Sequence, residues 1–543
     1  MRYLYFLPAL LFFACNSGKQ NLNQASTISD SVKTIVRTDT VYVTRNPGIT
    51  PANSYSDLFM DSSAIEQFIL QKKLNDEEAK GFKSFYNYRN LQFAWFTSLG
   101  FTEQAKSFWS LQDKLSTDRT DRSLYIKMDT LLNNDSLIVS RYDTSILNIE
   151  LALTRNYLQF YKTNRDKILF ANLSPEKAIP VKKENAIILA DTILSMHADS
   201  IPGNKASLQY FRLWQKLKLY DSIAKQGGWH PILFTAKKIK KGTSSPAVNL
   251  IKKRLQLTGE MKGRDSSNIF NDSLVVAVKN YQTLNGFKPT GIITDTLVRS
   301  LNVAVDKRIK QIIINLSRLQ WLSTLQEANY ITVNIPDFTL YVFENNVKAF
   351  DMPVAVGKEG TNTTMFNGNL DQIVFSPYWN IPASIVQREI LPKIKADPNY
   401  LKSKHMEIVG KNDILPTIRQ LPGADNALGK VKFLFPNRYD IYFHDTNAKD
   451  IFKKDVRAVS HGCIRLENAE KMANYLLKNN TAWTAEKVHA AMNNGKEQFV
   501  KLKPPMPVSI TYFTAWIDES GQLNFRDDVY GNDKKISQML FGN

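Results

Sequence analysis

A change of hydrophobic period near Tyr330 constrains this chain more than any other feature, because the side-chain periods of helix and strand differ too much to share one element. From about Asp57 to Gly228 apolar residues recur at helical spacing, as in Leu151, Leu153, Tyr157, Phe160 and Tyr161, with few glycine or proline interruptions. After Tyr330 the pattern alternates. Tyr330-Ile331-Thr332-Val333-Asn334-Ile335, Thr339 to Phe343, Met352 to Val356 and Gln372 to Phe375 read as strands rich in β-branched and aromatic residues. Turn formers such as Pro336-Asp337, Asn345-Asn346 and Gly357 separate them. The fold class is therefore multidomain α+β. At 543 residues the chain also exceeds the roughly 250–300 at which a single core stops growing.

Between these regions the periodicity lapses at Gly227-Gly228-Trp229 and through a Lys-rich passage to Pro246. A small module follows from Val248 to Asn302, with one helical pattern (Leu250, Ile251, Leu255), a polar loop, and a second (Leu274, Val275, Val278, Tyr281). A linking helix is expected over Val305 to Trp321. Within the strand region, about Ser384 to Gly429 reads as a helical and irregular insertion, placed to cap a site. The aromatics Phe85, Tyr86, Tyr88, Phe93, Trp95 and Phe96 are expected in the core of the first domain.

The formal net charge is +19, which favours contact with polyanions. The basic residues lie in short scattered groups such as Lys237-Lys238-Ile239-Lys240-Lys241, without an aromatic-interleaved stripe, so no nucleic-acid partner is expected. Met1-Arg2 and the apolar run Tyr3 to Ala14 are too short to span a bilayer and read as an export signal. Phe12-Phe13-Ala14-Cys15 resembles the lipobox of bacterial lipoproteins, which implies lipidation of Cys15 and anchorage to a membrane. Asn16 to about Ser56, rich in Ser, Thr, Asn and Gln, reads as a flexible tether. With Cys15 lipidated or removed, Cys463 is the one cysteine left, so an internal disulfide is excluded. A spare thiol outside the cytoplasm is a liability that nucleophilic catalysis explains; the alternative is a small buried hydrophobe.

Asp440-Ile441-Tyr442-Phe443-His444-Asp445 and Val459-Ser460-His461-Gly462-Cys463-Ile464-Arg465-Leu466 concentrate the reactive residue types. A thiol near its ordinary pKa of about 8.5 is mostly protonated at neutral pH, so a nucleophilic Cys463 needs an imidazole within hydrogen-bond reach. His444 is the candidate base, brought alongside by strand pairing. The amides of Gly462 and Cys463 are candidate oxyanion donors, since glycine lets the backbone turn tightly there. Arg465 shares the face of Cys463 on an extended segment, where it either holds a substrate carboxylate or pairs with Asp445. His461 competes for the role of base.

The order of His444 and then Ser460-His461-Gly462-Cys463-Ile464-Arg465 resembles the YkuD-type L,D-transpeptidase domain. Arg254-Leu255-Gln256, Ala277-Val278, Tyr281-Gln282, Gly286-Phe287, Thr290-Gly291-Ile292-Ile293 and Leu301-Asn302 resemble the peptidoglycan-binding type 1 domain, a three-helix module. With Phe85-Tyr86, Arg89-Asn90, Ala94-Trp95, Asn334 to Phe338, Val356-Gly357-Lys358, Pro377 to Pro382 and Val431 to Asn437, the likeness extends to the large Gram-negative subfamily. One departure is Thr364, where that subfamily commonly has proline. The resemblance implies a signal peptide (1–14), a lipidated tether (15–56), a mainly helical scaffold domain (57–240), the peptidoglycan-binding module (246–303), a linking helix (304–329), a β-rich catalytic domain (330–510) with its cap (about 384–429), and a C-terminal extension (511–543).

It further implies that Cys463 attacks the carbonyl of a diamino acid in a peptidoglycan tetrapeptide stem, expelling D-alanine to leave a thioester that a neighbouring stem's amine resolves as a 3→3 cross-link. His444 then acts as base, His461 supports it, and Tyr442, Trp379, Ser460 and Arg465 contact substrate. No cofactor or metal is required, location in the periplasm or cell envelope follows, and carbapenems are expected to acylate Cys463. Two alternatives compete. One is an L,D-carboxypeptidase or another cysteine acyltransferase such as a sortase; the other is a non-catalytic wall-binding lipoprotein. A depressed thiol pKa at Cys463 favours an enzyme.

Overall fold

A computed structural model describes residues 42–115, 122–132, 137–164, 174–195, 205–234, 236–321, 327–411 and 415–542. The segment read as a signal peptide, most of the segment read as a tether, and Cys15, the expected lipidation site, lie outside the described residues. Residues 42–56, read from sequence as tether, are seated on the helical domain instead. The Asn46 amide donates to the Asn87 carbonyl at 2.9 Å, and Ile49, Ser54, Tyr55 and Ser56 are buried. Polar composition suggested a linker because this stretch docks through backbone bonds and a few apolar anchors rather than through a periodic face.

The N-terminal part is mostly helical. Asp76–Tyr88 starts on a reciprocal cap in which Asn75 and Glu78 satisfy each other's amides. It packs with Glu103–Leu115 and Thr144–Thr163 around Phe82, Phe85, Tyr86, Phe93, Trp95, Phe108 and Tyr157. One buried acid organises this core: the Glu150 carboxylate accepts the Ala94 and Trp95 amides at 2.7 and 3.0 Å and the Tyr86 hydroxyl at 3.1 Å. Burial nevertheless pushes its pKa up to about 7, with those donors and Arg89 acting in the opposite sense.

Three helices, Pro246–Thr258, Asp272–Leu284 and Asp295–Leu301, enclose an apolar cluster of their own around Val248, Ile251, Phe270, Leu274, Val278 and Leu297. The helix Val305–Trp321 is more than a connector. Its Ile309, Ile312, Ile313 and Leu316 form a core with Leu213 and Leu217 of Lys205–Lys225 and with Ala515, Ile517, Leu523 and Phe525 of the C-terminal hairpin. Residues 511–542 are thus built into the helical body. Buried Arg318 fastens them, pairing with Glu103 at 2.5 Å and Asp533 at 2.7 Å.

The C-terminal domain is a sheet that closes on itself. Tyr330–Asn334, Thr339–Glu344, Val347–Gly357, Ile464–Leu466, Phe443–His444, Val431–Leu434, Phe366–Phe375 and Gln498–Thr511 neighbour one another in that spatial order, and the last pairs back with the first. Alternate residues such as Val354, Ile373, Phe433, Phe443, Ile464 and Leu466 join one apolar cluster, against which Ala469–Leu477 and Ala485–Asn493 pack. Because strand side chains alternate, the residues between them point to the opposite face.

The insertion after Pro382 begins as expected, with Ala383–Ile385, a π-helical turn Val386–Ile390, Leu391–Ala396 and Tyr400–Ser403. It then departs from a purely helical and irregular reading. Met406–Lys411 and Pro416–Gln420 form an antiparallel pair, extended by Trp379–Asn380 into a three-stranded sheet with its own small core of Ile381, Val386, Ile390 and Ile418. These strands are short and interrupted by Gly410, so their alternation was too brief to register as strand. Among the described residues no helix is long and apolar enough to cross a membrane.

Candidate active site

The parallel pairing of Phe443–His444 with Ile464–Leu466 sets Phe443 opposite Ile464 and His444 opposite Arg465. The Ile464 amide donates to the Tyr442 carbonyl at 3.1 Å, so Tyr442 and Cys463 stand together at the head of the two strands. Tyr442, His444, Cys463 and Arg465 therefore share the sheet face opposite the apolar cluster, joined by Lys432, which pairs with His444 from the other side.

Cys463 follows a turn made by its own sequence. The Ser460 hydroxyl donates to the Cys463 carbonyl at 2.6 Å and accepts the Gly462 amide at 3.1 Å, and Gly462 has φ +117°, a left-handed conformation glycine supplies without strain. Two assignments from sequence change in consequence. The Gly462 N–H, expected as an oxyanion donor, is occupied by Ser460, whereas the Cys463 amide has no protein acceptor among the described residues. Ser460 itself is buried, so it shapes the turn rather than facing a ligand.

The thiol is partly exposed and donates to the Asp440 carbonyl at 3.5 Å, with the Tyr442 hydroxyl also against it. Burial pushes the Cys463 pKa up to about 11; the Asp440 carboxylate adds to this, while Tyr442 and Arg465 act in the opposite sense. A depressed thiol pKa was the sign that would favour an enzyme; in the ligand-free protein desolvation outweighs the lowering by Tyr442 and Arg465, so that sign is not met. The turn that presents Asp440 is built on Asn437, whose side chain accepts the Tyr439 and Ile441 amides and donates to the Phe435 and Ile441 carbonyls. That ladder holds Asp440 at φ +52°.

His444 is buried, and burial lowers its pKa to about 3, reinforced by the Arg465 guanidinium and opposed by the carbonyls of Asp445 and Leu428. Its Nδ1 lies 2.5 Å from the Asp445 carbonyl oxygen, which requires the proton on Nδ1 and leaves Nε2 basic. No hydrogen bond joins His444 to Cys463 among the described residues: the strand register places Tyr442, not His444, beside Cys463. With strands about 4.8 Å apart and a rise of about 3.3 Å per residue, the two Cα atoms stand on a diagonal of roughly 8 Å. Gly429 makes room beside them, since a Cβ there would meet the Asp445 carboxylate at 2.4 Å.

The remaining candidates divide. His461 is exposed at the mouth, and its Nε2 lies 2.8 Å from Glu389 Oε1 of the cap. Trp379 belongs to the cap sheet and packs on the cap core. Asp445 pairs with Lys449 at 2.7 Å, not with Arg465, whose Nε is buried without a partner. Sequence reasoning missed Asp440, Glu389, Lys432 and Thr363. Thr363 Oγ1 donates to the Gly462 carbonyl at 2.7 Å and accepts the Gly357 amide at 2.9 Å, while the Tyr530 hydroxyl donates to the Gly357 carbonyl at 2.6 Å. Apart from the Gly357–Thr363 bond, which spans six residues, these contacts are distant in sequence; only the Pro436-Asn437 turn carried a readable signal. Among the described residues no group of three or more His, Cys, Asp or Glu is arranged to hold a metal ion.

Comparison with known proteins bears on the same segments. Residues 328–489 match the model of the YkuD L,D-transpeptidase catalytic domain, and residues 80–207 match a scaffold-domain model. A Haemophilus influenzae protein bearing the name of an L,D-transpeptidase is 32% identical over 225 residues, a match that covers 38% of this chain and 45% of that protein's length. Among solved structures, an L,D-transpeptidase from Mycobacterium smegmatis is 14% identical over 34% of this chain and 58% of its own, with a TM-score of 0.18. One from Stackebrandtia nassauensis is 12% identical over 51% of this chain and 97% of its own, with a TM-score of 0.21. The chain thus carries a YkuD catalytic domain preceded by a separate scaffold domain.

Proposed function

We propose that this chain, which carries a YkuD catalytic domain, is an L,D-transpeptidase that forms 3→3 cross-links between peptidoglycan tetrapeptide stems. The observation that carries the reading is one sheet face that collects Cys463, Tyr442, His444 and Arg465, with Glu389 of the insertion after Pro382 reaching His461 beside it. The Cys463 sulfur attacks the carbonyl of the stem's third residue, a diamino acid, and the thiol proton passes to His444 Nε2. Nε2 reaches the thiol across the diagonal when substrate enters, as catalytic hydrogen bonds tighten in the substrate complex. The Cys463 amide stabilises the oxyanion. Collapse breaks the amide bond, His444 returns the proton to the leaving amine, and D-alanine departs, leaving a thioester. The side-chain amine of a neighbouring stem's diamino acid then attacks the thioester, His444 takes its proton, and the thiol is regenerated.

His461, held by Glu389, stands at the mouth in a supporting role, and Arg465 offers its guanidinium to a substrate carboxylate. No cofactor enters these steps. The leader sequence and Cys15 support an envelope location with a lipid anchor. The test is mass spectrometry of muropeptides after incubation with a tetrapeptide-stem disaccharide, for wild type, Cys463→Ala and His444→Ala. A 3→3 dimer formed with loss of D-alanine, absent in both variants, is the expected result. Tripeptide alone would assign an L,D-carboxypeptidase, and unchanged substrate would leave a wall-binding protein. An unchanged intact mass after carbapenem treatment would remove the acylation expectation.

A further inference from the structure

Three charged or titratable side chains form a row across adjacent strands, Lys432, His444 and Arg465, each opposite the next. Directly paired residues emerge on the same side of a sheet, so the two cations flank the histidine, their Cα atoms roughly 10 Å apart given a strand spacing of about 4.8 Å. Both are half-buried, and among the described residues neither forms a salt bridge, the Glu497 carboxylate acting on Lys432 only from nearby. Lys432 Nζ donates only to the Tyr378 carbonyl, at 3.3 Å, and the neighbouring Glu497 carboxylate is engaged by the Tyr378 amide at 3.0 Å. Arg465 Nε is buried and unpaired.

A cation withdrawn from water without a paired counter-ion in contact is incompletely compensated. Desolvation accordingly lowers the Lys432 pKa, opposed by Glu497. An arriving anion offsets that cost, and Lys432 meets one as a point charge where Arg465 can bind it bidentately.

We propose that Lys432 is a second carboxylate-binding residue of this site and selects stems whose diamino acid carries a free side-chain carboxylate, Arg465 holding the carboxylate of the terminal residue. The ligand's identity rests on the transpeptidase reading; the charge arrangement does not. A diamino diacid followed by a C-terminal residue presents two carboxylates on either side of the scissile carbonyl.

Binding without turnover tests this. Calorimetric titration of Cys463→Ala with a disaccharide tetrapeptide bearing a free diamino diacid, and with the same molecule carboxamidated on that side chain, is expected to give at least tenfold weaker binding of the carboxamide. Adding Lys432→Met should weaken only the free acid, by a similar factor, and Lys432→Arg should retain most of the preference. Equal affinity of the two ligands, or equal losses on both in Lys432→Met, overturns the proposal. Turnover by wild type is scored separately: selective binding without cross-linking would refute the transpeptidase reading and leave the carboxylate site standing, whereas cross-linking without selectivity would do the reverse.

Discussion

His444 stands opposite Arg465, one side-chain row away from Cys463, and this offset decides how the imidazole behaves. Burial keeps it neutral and the guanidinium reinforces that state. Arg465→Gln should raise the His444 pKa, because it removes one of the two causes holding it down. We expect the His444 ring titration, followed by NMR, to move upward by about one unit or less, since burial remains the larger cause. A downward or absent shift would contradict the electrostatic link.

The same imidazole makes stability depend on pH. Its folded pKa, about 3, lies below the unfolded value of about 6.5, so between these limits the unfolded chain binds the extra proton. Stability from this group is present above about pH 6.5 and falls toward pH 3, at up to about 1.4 kcal/mol per pH unit. Denaturant titrations from pH 7 to 4 should therefore show a shallower loss in His444→Gln than in wild type. Parallel curves would mean that the ring is hydrated.

Cys463 in the ligand-free protein should behave as a weakly acidic thiol. Iodoacetamide alkylation is expected to keep rising above pH 9, since burial has pushed the thiol to about 11. A plateau near neutral pH would mean that His444 already forms an ion pair with the sulfur.

Glu389 ties the insertion after Pro382 to the turn before Cys463 through His461, and both side chains keep about 40% of their surface exposed (39% and 41%). Such a pair contributes little to global stability, from about 0 to 1 kcal/mol. Glu389→Gln should therefore leave Tm within about 4 °C of wild type while raising the alkylation rate of Cys463 a few-fold. Unchanged alkylation would show that the pair does not restrain the insertion.

Thr363 holds the Ser460–Cys463 turn from behind. Thr363→Val leaves the Gly357 amide and the Gly462 carbonyl unpaired, a cost of about 1–3 kcal/mol for each buried group. We expect lower stability and a lower kcat, with Thr363→Ser close to wild type. An undiminished kcat in the valine variant would show that the turn holds without it.

The sequence by itself determined the helical and stranded halves, the aromatic core around Phe85, Tyr86 and Trp95, and the segments that carry the reactive residues. These follow from side-chain period and composition, which are local properties. The tertiary structure decided register, burial and long-range partners. It placed Tyr442 rather than His444 beside Cys463, spent the Gly462 amide on Ser460, built a sheet into the insertion after Pro382, and drew residues 42–56 and 511–542 into the helical body. The physical reason is that pairing register and desolvation depend on groups far apart in the chain, such as Thr363 with Gly462 and Glu389 with His461, and no local pattern encodes such a meeting.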